Sequence, residues 1–430
     1  MKFHELRSQK SFPFVLFFIF SILISLNPSP TVGNPDSQYF PDKEWDVTTP
    51  EEQGMDSNVI SSLYGYISGQ LLQIQSVLLL RNGYIIDENY LHESQIYEAN
   101  QYHSADRYWT YQTSQFENII DNRLHALWSC TKSVTSLLTG IAIEEGYFTV
   151  NQTFFEIFPD RWKASYGNET KKTITIEDLL TMRAGLSWDE ATDAFEYWPA
   201  SNYSIDFILN KSLVHNPGET FTYSTGYTQL LAEVLQNKTG MKLSEFAREK
   251  LFAPIGINDT EWWWYEYPWE WGSGNISFGG FGIYMTPRAM ARIGLLCLNN
   301  GTWNDTQIVS KEWISTATSN LVGDPGYGYL FWTMDNAFFA AGFLGQRIFA
   351  IPEYSIVAVF TAAEVRELDE YYDHIVNNFI IRATSSSTES SSTESTSTET
   401  SSNGTAGLET LPLLAAIAVL SRWYRKNSRN

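Results

Sequence analysis

Apolar residues in the first third of the chain follow two patterns that predict different elements. Residues 75–80 and 84–90 are apolar runs separated by Arg81-Asn82-Gly83, and an Asn-Gly pair between such runs is a strong β-hairpin signal. From residue 131 to residue 146 the apolar positions instead recur at helical spacing, and a glycine closes the pattern. The sequence therefore predicts a sheet that begins near residue 75 and a helix that begins at or just after Ser129.

The middle of the chain predicts helices, and its last part returns to strands. Helical spacing recurs at residues 176–182, 227–235 and 243–251. Strand-like runs follow at residues 327–334, 346–351 and 355–361, and an amphipathic pattern at 362–381 predicts a closing helix. Because sheet segments flank the helices on both sides, we expect one α/β domain interrupted by a mostly helical domain. A functional site is expected in the cleft at their boundary.

The two ends of the chain differ in composition from the middle. Residues 1–33 carry basic residues and then an apolar run, which predicts a signal peptide or an uncleaved N-terminal anchor. Residues 384–405 form a Ser/Thr/Glu-rich stalk, and residues 406–430 form a hydrophobic and then basic anchor or sorting tail. The globular domain spans residues 40–383, with an α/β part at about 40–115 and 305–383 and a helical part at about 116–304. We expect an extracellular or cell-surface protein and leave membrane attachment through a terminus open.

Charge and composition exclude several classes of function. The formal net charge of −21 opposes nucleic-acid binding, because such binding depends on Lys and Arg neutralising phosphates. The six histidines are scattered and form no metal-binding motif, so we expect neither a metal nor an organic cofactor. Cys130 and Cys297 are too few for a disulfide scaffold, and a single bridge between them stays open beside the simpler alternative of two buried thiols.

Asn-x-Ser/Thr sequons occur at twice the frequency that composition predicts. The ten asparagines are Asn151, Asn168, Asn202, Asn210, Asn237, Asn258, Asn275, Asn300, Asn304 and Asn403, against about five expected. This excess favours a glycosylated surface protein. The alternative is a set of ordinary loops rich in Asn and Thr, because a sequon is a weak motif.

Ser129 is the one serine of the chain that has a lysine three positions later. Residues i and i+3 share a helix face, so this spacing places the Lys132 amine against the Ser129 hydroxyl, which needs such a base to become a nucleophile. The helix N-terminus also favours negative charge nearby. A pair this short arises about once by chance in such a chain, so a capping serine beside an exposed lysine is the alternative unless the context supports chemistry.

The surrounding residues resemble the serine β-lactamase and penicillin-binding-protein family. Residues 127–136 (LWSCTKSVTS) are similar to the SxxK helix of the family, and residues 176–186 (IEDLLTMRAGL) are similar to its characteristic LLTMxSGL segment. The resemblance covers residues 51–381 and is strongest to the class C-like branch of esterases, D-peptidases and nylon-oligomer hydrolases. It implies a β-lactamase/transpeptidase-like fold, which is an α/β sandwich with an antiparallel sheet flanked by helices and an inserted mostly helical domain.

The same resemblance assigns roles to the residues of two further segments. Tyr223-Ser224-Thr225 resembles the family's Tyr-x-Asn motif, which implies that Tyr223 shuttles a proton with Lys132, while Thr225 replaces the asparagine. Ala340-Ala341-Gly342 resembles the Lys-Thr-Gly or His-x-Gly motif without its cation. We expect Thr225, Ala341 and Gly342 to contact the substrate. The backbone N–H groups of Ser129 and Phe343 are implied to form the oxyanion hole.

These residues predict a secreted serine hydrolase that cleaves a small-molecule ester or amide through an acyl-enzyme on Ser129. The missing cation at Ala340 makes an uncharged substrate fit better than a β-lactam carboxylate. Two alternatives stay open: a β-lactamase or D-peptidase that acts on cell-wall-type substrates, and a non-catalytic binding or scaffold protein on the same fold. The aromatic residues 261–271 either line the cleft or pack within a loop, and the oligomeric state is undetermined.

Overall fold

A six-stranded antiparallel sheet lies at the centre of the computed structural model, which describes residues 38–91 and 124–384 except 202, 365 and 367. The predicted signal or anchor, most of the stalk and the C-terminal tail lie outside the described residues. The strands are β1 (Ile74–Arg81), β2 (Tyr84–Tyr90), β3 (His125–Ala126), β4 (Trp262–Trp264), β5 (Glu266–Pro268), β6 (Asn275–Ser277), β7 (Ile283–Met285), β8 (Thr302–Trp303), β9 (Thr306–Gln307), β10 (Trp332–Met334), β11 (Ala337–Gly342), β12 (Gln346–Ile351) and β13 (Ile356–Ala362).

The sheet joins the two ends of the domain, in the order β10-β11-β12-β13-β1-β2. The predicted hairpin is confirmed, because Asn82 and Gly83 both adopt positive φ angles (53° and 87°) between β1 and β2, as a two-residue primed turn requires. Strand β1 also pairs with β13, with Arg81 opposite Ile356. This pairing closes the sheet between segments that lie far apart in the sequence. The smaller sheets are β3-β7-β4, β5-β6 and β8-β9.

The α-helices lie mainly between the outer sheet segments. They are α1 (Ser57–Gly69), α2 (Cys130–Glu144), α3 (Phe154–Ile157), α4 (Ile176–Leu180), α5 (Glu190–Thr192), α6 (Trp198–Ala200), α7 (Ile205–Leu209), α8 (Thr225–Thr239), α9 (Leu243–Ala247), α10 (Pro287–Leu298), α11 (Lys311–Ala317) and α12 (Asp369–Ile375). Helices α5, α9 and α12 continue as π-helical segments at Asp193–Tyr197, Arg248–Phe252 and Val376–Ile381. Short 3₁₀ turns occur at Glu51–Gln53, Pro159–Arg161, Ala164–Tyr166, Glu169–Thr173, Ala253–Ile255, Phe343–Gly345 and Pro352–Tyr354. No helix of the described ranges has the length and apolar character needed to cross a bilayer.

Helices cover both faces of the sheet. On β1, Val77 and Leu79 belong to the core beneath α1 and α12, whereas Leu78 and Leu80 belong to the core that includes α10. Helix α10 approaches the sheet closely at Gly294, where an added Cβ would lie 2.6 Å from the Val357 side chain. Because β1 is buried on both sides, residues 77–80 of the strand are consecutively apolar rather than alternating with polar residues. The predicted α/β sandwich is confirmed.

Two sequence expectations differ from the structure in detail. The strand-like run at 327–334 forms a strand only at β10, because Leu330 has a φ of 61° and the buried aromatic residues before it pack as coil. The closing helix begins at Asp369 rather than at residue 362, since β13 continues to Ala362. Apolar content alone does not distinguish a buried loop from a strand. Both cysteines are buried free thiols, so the open disulfide is absent.

Candidate active site

Ser129 lies at the entrance to α2, directly after a tight turn. The N–H groups of Cys130, Thr131 and Lys132 donate to the carbonyls of Leu127, Trp128 and Ser129, at 3.0–3.1 Å. Trp128 has a φ of 50°, a left-handed conformation that costs a non-glycine residue roughly 1–3 kcal/mol and that the surrounding packing must maintain. The half-buried Ser129 side chain lines the main cleft. Helix α2 behind it is buried from Cys130 to Ala142 and packs against α8 and β11, which fixes the serine.

The Lys132 amine contacts Ser129 directly and is almost completely buried. Its Nζ lies 2.9 Å from each of three acceptors: Ser129 Oγ, Thr225 Oγ1 and the Gly280 carbonyl oxygen. Burial lowers the pKa of Lys132 to about 8, although the nearby Glu190 carboxylate opposes this shift. At pH 7 about one tenth of the amine is then neutral, which is sufficient to accept a proton.

Tyr223 is the third of the predicted catalytic side chains that the fold brings together. Lys132 Nζ lies 4.9 Å from the centre of the Tyr223 ring, and the Ser129 side chain interacts with the phenol. Burial of the hydroxyl raises the pKa of Tyr223, so the phenol stays protonated. The segment that resembled LLTMxSGL holds this tyrosine: Met182 O accepts from Thr222 N–H at 2.7 Å, and Met182 Sδ accepts from Ser224 N–H at 3.4 Å.

Two glycines explain how a backbone carbonyl reaches the lysine. A Cβ at Gly280 would lie 2.5 Å from Thr228 Oγ1 and 2.8 Å from Thr225 Cγ2, and a Cβ at Gly279 would lie 2.2 Å from the Thr228 carbonyl oxygen. Only glycine permits this approach to the first turn of α8. The Gly279 carbonyl in turn accepts from Thr135 Oγ1 at 2.7 Å, which ties the segment to α2.

Strand β11 ends beside the turn that carries Ser129, and the second proposed oxyanion donor, Phe343, follows this strand directly. A Cβ at Gly342 would lie 2.2 Å from the Leu127 carbonyl oxygen, so this strand end touches the turn that carries the serine. The Phe343 ring packs edge-on against Trp128 at 5.4 Å. Ala341, Gly342 and Phe343 all line the cleft. Ala340, where the family motif has its cation, instead points into the apolar core.

Two functional candidates, Glu190 and Arg347, were missed by the sequence analysis. Glu190 accepts hydrogen bonds from the Thr225 N–H at 2.8 Å and from Trp188 Nε1 at 2.6 Å, and it also accepts from the Thr225 hydroxyl. Arg347 donates to the Gly342 and Gln346 carbonyls at 3.1 and 2.9 Å. The only sequence signal for Glu190 was the tripeptide Trp188-Asp189-Glu190, which closely follows the segment similar to LLTMxSGL. No sequence signal marked Arg347.

Comparison with known proteins decides the family. A family model described as Beta-lactamase matches residues 104–376, well over half of the chain. The chain belongs to the beta-lactamase family. Penicillin-binding protein 4* of Bacillus subtilis is 29% identical over 147 residues, which are 32% of this chain and 30% of that protein. Protein flp of Staphylococcus aureus is 30% identical over 135 residues, which are 30% of this chain and 26% of that protein. The chain thus matches under a third of the length of each of these relatives.

Solved structures of the beta-lactamase fold match a larger share of the chain at lower identity. A putative 6-aminohexanoate-dimer hydrolase from Bacillus anthracis superposes with a TM-score of 0.58 and 20% identity, covering 81% of this chain and 88% of that one. FmtA from Staphylococcus aureus has a TM-score of 0.56 at 17% identity, covering 80% and 93%. A family VIII carboxylesterase has a TM-score of 0.51 at 16% identity, covering 74% and 93%. The fold class expected from the sequence is confirmed.

In this beta-lactamase family member the cleft has a volume of about 750 Å³ and a largely aromatic wall. The aromatic lining residues are Trp128, Trp188, Phe195, Phe221, Tyr223, Phe281, Trp332, Phe339 and Phe343. The run at 261–271 is absent from that lining, and Trp264, Tyr267 and Trp271 pack in the core. The packing alternative is therefore confirmed, although much of the run forms strands β4 and β5 rather than a loop. The described residues hold no group of three His, Cys, Asp or Glu side chains that would suit a metal.

Charged groups around the cleft of this family member are mostly acidic. The lining carboxylates are Asp189, Glu190, Glu219, Asp324, Glu364 and Asp369. Of the lining guanidinium groups, Arg347 pairs with Asp369 at 2.6 Å and Arg366 pairs with Glu364 at 2.6 Å. Each of these arginines also donates to backbone carbonyls. Within the described lining, the positive charges are therefore committed to protein partners, and the excess of carboxylates disfavours an anionic substrate.

Proposed function

We propose that the chain is a serine hydrolase that cleaves small, uncharged esters or amides through an acyl-enzyme on Ser129. The observation that carries the proposal is the 2.9 Å contact between Ser129 Oγ and the buried Lys132 amine, whose pKa is lowered to about 8. An unperturbed lysine would be almost entirely protonated at neutral pH and could not act as a base. Burial supplies the neutral form that this chemistry needs.

Acylation begins when neutral Lys132 takes the hydroxyl proton as Ser129 Oγ attacks the carbonyl carbon. The negative charge that develops on the carbonyl oxygen is stabilised by the backbone N–H groups of Ser129 and Phe343. The bond to the leaving group then breaks, and the leaving alcohol or amine takes a proton from Tyr223, which Lys132 reprotonates. The protonated phenol of Tyr223 suits this donor role.

Deacylation repeats these steps with water as the nucleophile. Water loses a proton to Lys132 and attacks the acyl carbon, and the same two N–H groups hold the oxygen of the second tetrahedral intermediate. The bond from the acyl carbon to Ser129 Oγ then breaks, and the serine regains its proton from Lys132. The products are a carboxylic acid and the free enzyme, with no cofactor consumed.

The preference for an uncharged substrate rests on the cleft walls. A β-lactam or a D-peptide presents a carboxylate, and the position of the family's cation is occupied by Ala340, whose side chain lies in the core. Arg347 and Arg366 already contact carboxylates of the protein. The nine aromatic residues of the wall offer apolar surface to an acyl or alcohol group instead.

A fluorophosphonate probe tests this function. We expect covalent labelling of the wild-type protein and turnover of p-nitrophenyl butyrate, both lost in Ser129→Ala and in Lys132→Ala. Ser61→Ala is a suitable matched control, because Ser61 is exposed on α1 and does not line the cleft. Absence of wild-type labelling, or labelling that survives Ser129→Ala, would favour a non-catalytic protein. Labelling by a fluorescent penicillin, combined with absent ester turnover, would favour a β-lactamase or D-peptidase.

We also propose that the protein is extracellular and N-glycosylated. The eight sequon asparagines that lie in the described ranges are all exposed, and none of them lines the cleft. Glycans at these positions are therefore compatible with the fold and leave the site open. Expression through a eukaryotic secretory pathway should yield a protein whose mass falls on treatment with peptide-N-glycosidase F. An unchanged mass would contradict this proposal.

A further inference from the structure

Thr225 stands between Lys132 and a buried carboxylate. Its hydroxyl oxygen accepts a hydrogen bond from Lys132 Nζ at 2.9 Å, and its hydroxyl proton is donated to Glu190 Oε1. Glu190 comes from α5 and Thr225 from the start of α8, so the three residues reach this chain of hydrogen bonds from separate elements. The arrangement extends the Ser129-Lys132 pair by two groups.

Glu190 is held rigidly in this position. Only 8% of its surface is exposed, and its Oε2 accepts from Trp188 Nε1 at 2.6 Å and from the Thr225 N–H at 2.8 Å. A side chain fixed by three donors has no freedom to turn away from the threonine hydroxyl. An ordered buried carboxylate next to a catalytic base is a costly feature that folding alone does not require.

The direction of the Thr225 hydroxyl matters because a hydroxyl can either donate or accept. A neutral Lys132 has two N–H donors and one lone pair. If the Thr225 hydroxyl and the Gly280 carbonyl accept hydrogen bonds from the two N–H groups of Lys132, the nitrogen lone pair is left to take the Ser129 proton. If the Thr225 hydroxyl instead donated to the amine, it would occupy that lone pair and leave the serine without a base.

We propose that Glu190 is a positioning residue that fixes the Thr225 hydroxyl as an acceptor and so directs the Lys132 lone pair towards Ser129. An asparagine at position 225 would accept from Lys132 through its amide oxygen, which is a separate atom from its NH2 donor, whereas the oxygen of the threonine hydroxyl both donates and accepts. Glu190 takes the proton of the threonine hydroxyl that stands where the family motif has its asparagine. The role resembles that of the aspartate that orients histidine in a Ser-His-Asp triad. This inference rests on the proposed hydrolase function.

A double-mutant cycle tests the inference through kcat/KM for p-nitrophenyl butyrate. Glu190→Gln should lower kcat by about 10- to 100-fold with little change in KM, because general-base catalysis contributes about 10²- to 10⁴-fold. Thr225→Val should have a similar effect, and the double variant should be no slower than Thr225→Val alone. Thr225→Ser keeps the hydroxyl and should retain most of the activity.

The pH profile gives a readout that a purely structural role would not move. The titratable groups that face Lys132 are Glu190, Tyr223 and Cys130, and burial raises the pKa values of both the phenol and the thiol, so these two stay neutral. Loss of the Glu190 charge disfavours the protonated amine. The rising limb of the kcat/KM profile should therefore move to lower pH, by roughly one unit, in Glu190→Gln.

Glu233→Gln is the matched control. Glu233 is also a buried glutamate that accepts from a tryptophan Nε1 at 2.6 Å, but it lies on α8 outside the cleft lining. Replacement of Glu233 should leave kcat and the rising limb of the kcat/KM pH profile unchanged. Equal kinetics in Glu190→Gln and the control, or additive effects in the double-mutant cycle, would overturn the inference while the wild-type activity stands. An unlabelled, inactive wild type would instead refute the proposed function.

Discussion

Gly342 ends β11, the strand that leads to the proposed oxyanion donor Phe343 and is called the oxyanion strand below. One methyl group added at Gly342 should displace this strand from the turn that carries Ser129. In Gly342→Ala the new Cβ would lie 2.2 Å from the Leu127 carbonyl oxygen and 3.0 Å from the Gln346 Cβ. An ordinary carbon–oxygen contact is about 3.3 Å, so the strand or the turn before Ser129 must move by about 1 Å. Leu127 cannot move easily, because its N–H is bonded to the Ile283 carbonyl at 2.8 Å.

The expected loss of activity follows from that displacement. A 1 Å misplacement of reacting groups costs about 10²-fold, and loss of one oxyanion donor costs about 10²- to 10³-fold. We therefore expect Gly342→Ala to lower kcat/KM by about 100-fold, equivalent to about 2.7 kcal/mol of transition-state stabilisation. The effect should appear mainly in kcat, because the displaced N–H donor acts on the oxygen that becomes charged only in the transition state.

The assay is steady-state hydrolysis of p-nitrophenyl butyrate, with thermal unfolding as a check on the fold. Gly65→Ala is the matched control, because Gly65 lies exposed in α1 and no atom lies within 4 Å of the position that its added Cβ would take. The control should keep full activity and gain about 0.5–1 kcal/mol of stability from helix propensity. A folded Gly342→Ala variant that retains kcat/KM within twofold would refute the assignment of this strand to the oxyanion hole.

Three further predictions concern buried charges. The kcat/KM of the wild type should rise through a pH of about 8, because the base is active only after Lys132 loses its proton and its pKa is lowered to about 8. Arg347→Met should reduce the free energy of unfolding by about 2 kcal/mol and lower kcat, since Asp369 and the Gly342 carbonyl lose their donor. Burial raises the pKa of Glu233 to about 8 from 4.5. As the pH rises, the unfolded chain therefore loses this proton before the folded protein does, and the free energy of unfolding of the wild type should fall between pH 5 and 8. Glu233→Gln should abolish this fall.

Each of these three predictions has a result that would contradict it. A kcat/KM that is independent of pH between 6.5 and 9 would show that Lys132 is not the base. An Arg347→Met variant with wild-type kcat would show that the guanidinium does not position strand β11. Arg248→Met serves as its control, because Arg248 is exposed and does not line the cleft. An equal difference in melting temperature between Glu233→Gln and wild type at pH 5 and pH 8 would contradict the pKa assigned to Glu233.

The sequence alone determined the elements whose signals are local. The Asn82-Gly83 turn, the helix after Ser129 and the Ser129-Lys132 spacing depend on residues close together in the chain, and the structure contains all three. Strand-like runs at both ends of the domain also predicted the sheet that joins them, and β1 pairs with β13. Local patterns predicted the wrong element around Leu330, where the chain forms a buried coil. This coil has the apolar composition of a strand, because burial selects apolar residues in either conformation.

Only the tertiary structure decided which charged residues act together. Glu190 reaches Lys132 through Thr225, and Arg347 reaches the oxyanion strand from the neighbouring β12, with Asp369 supplied by α12. Apart from the tripeptide that contains Glu190, nothing local distinguishes these side chains from the other acidic and basic residues of the chain, which number 49 and 28 in all. Their partners are set by strand register, helix packing and burial, which strengthen electrostatic contacts and penalise unpaired charges. The sequence determined the Ser129-Lys132 pair, whereas the fold determined the groups that orient and tune it.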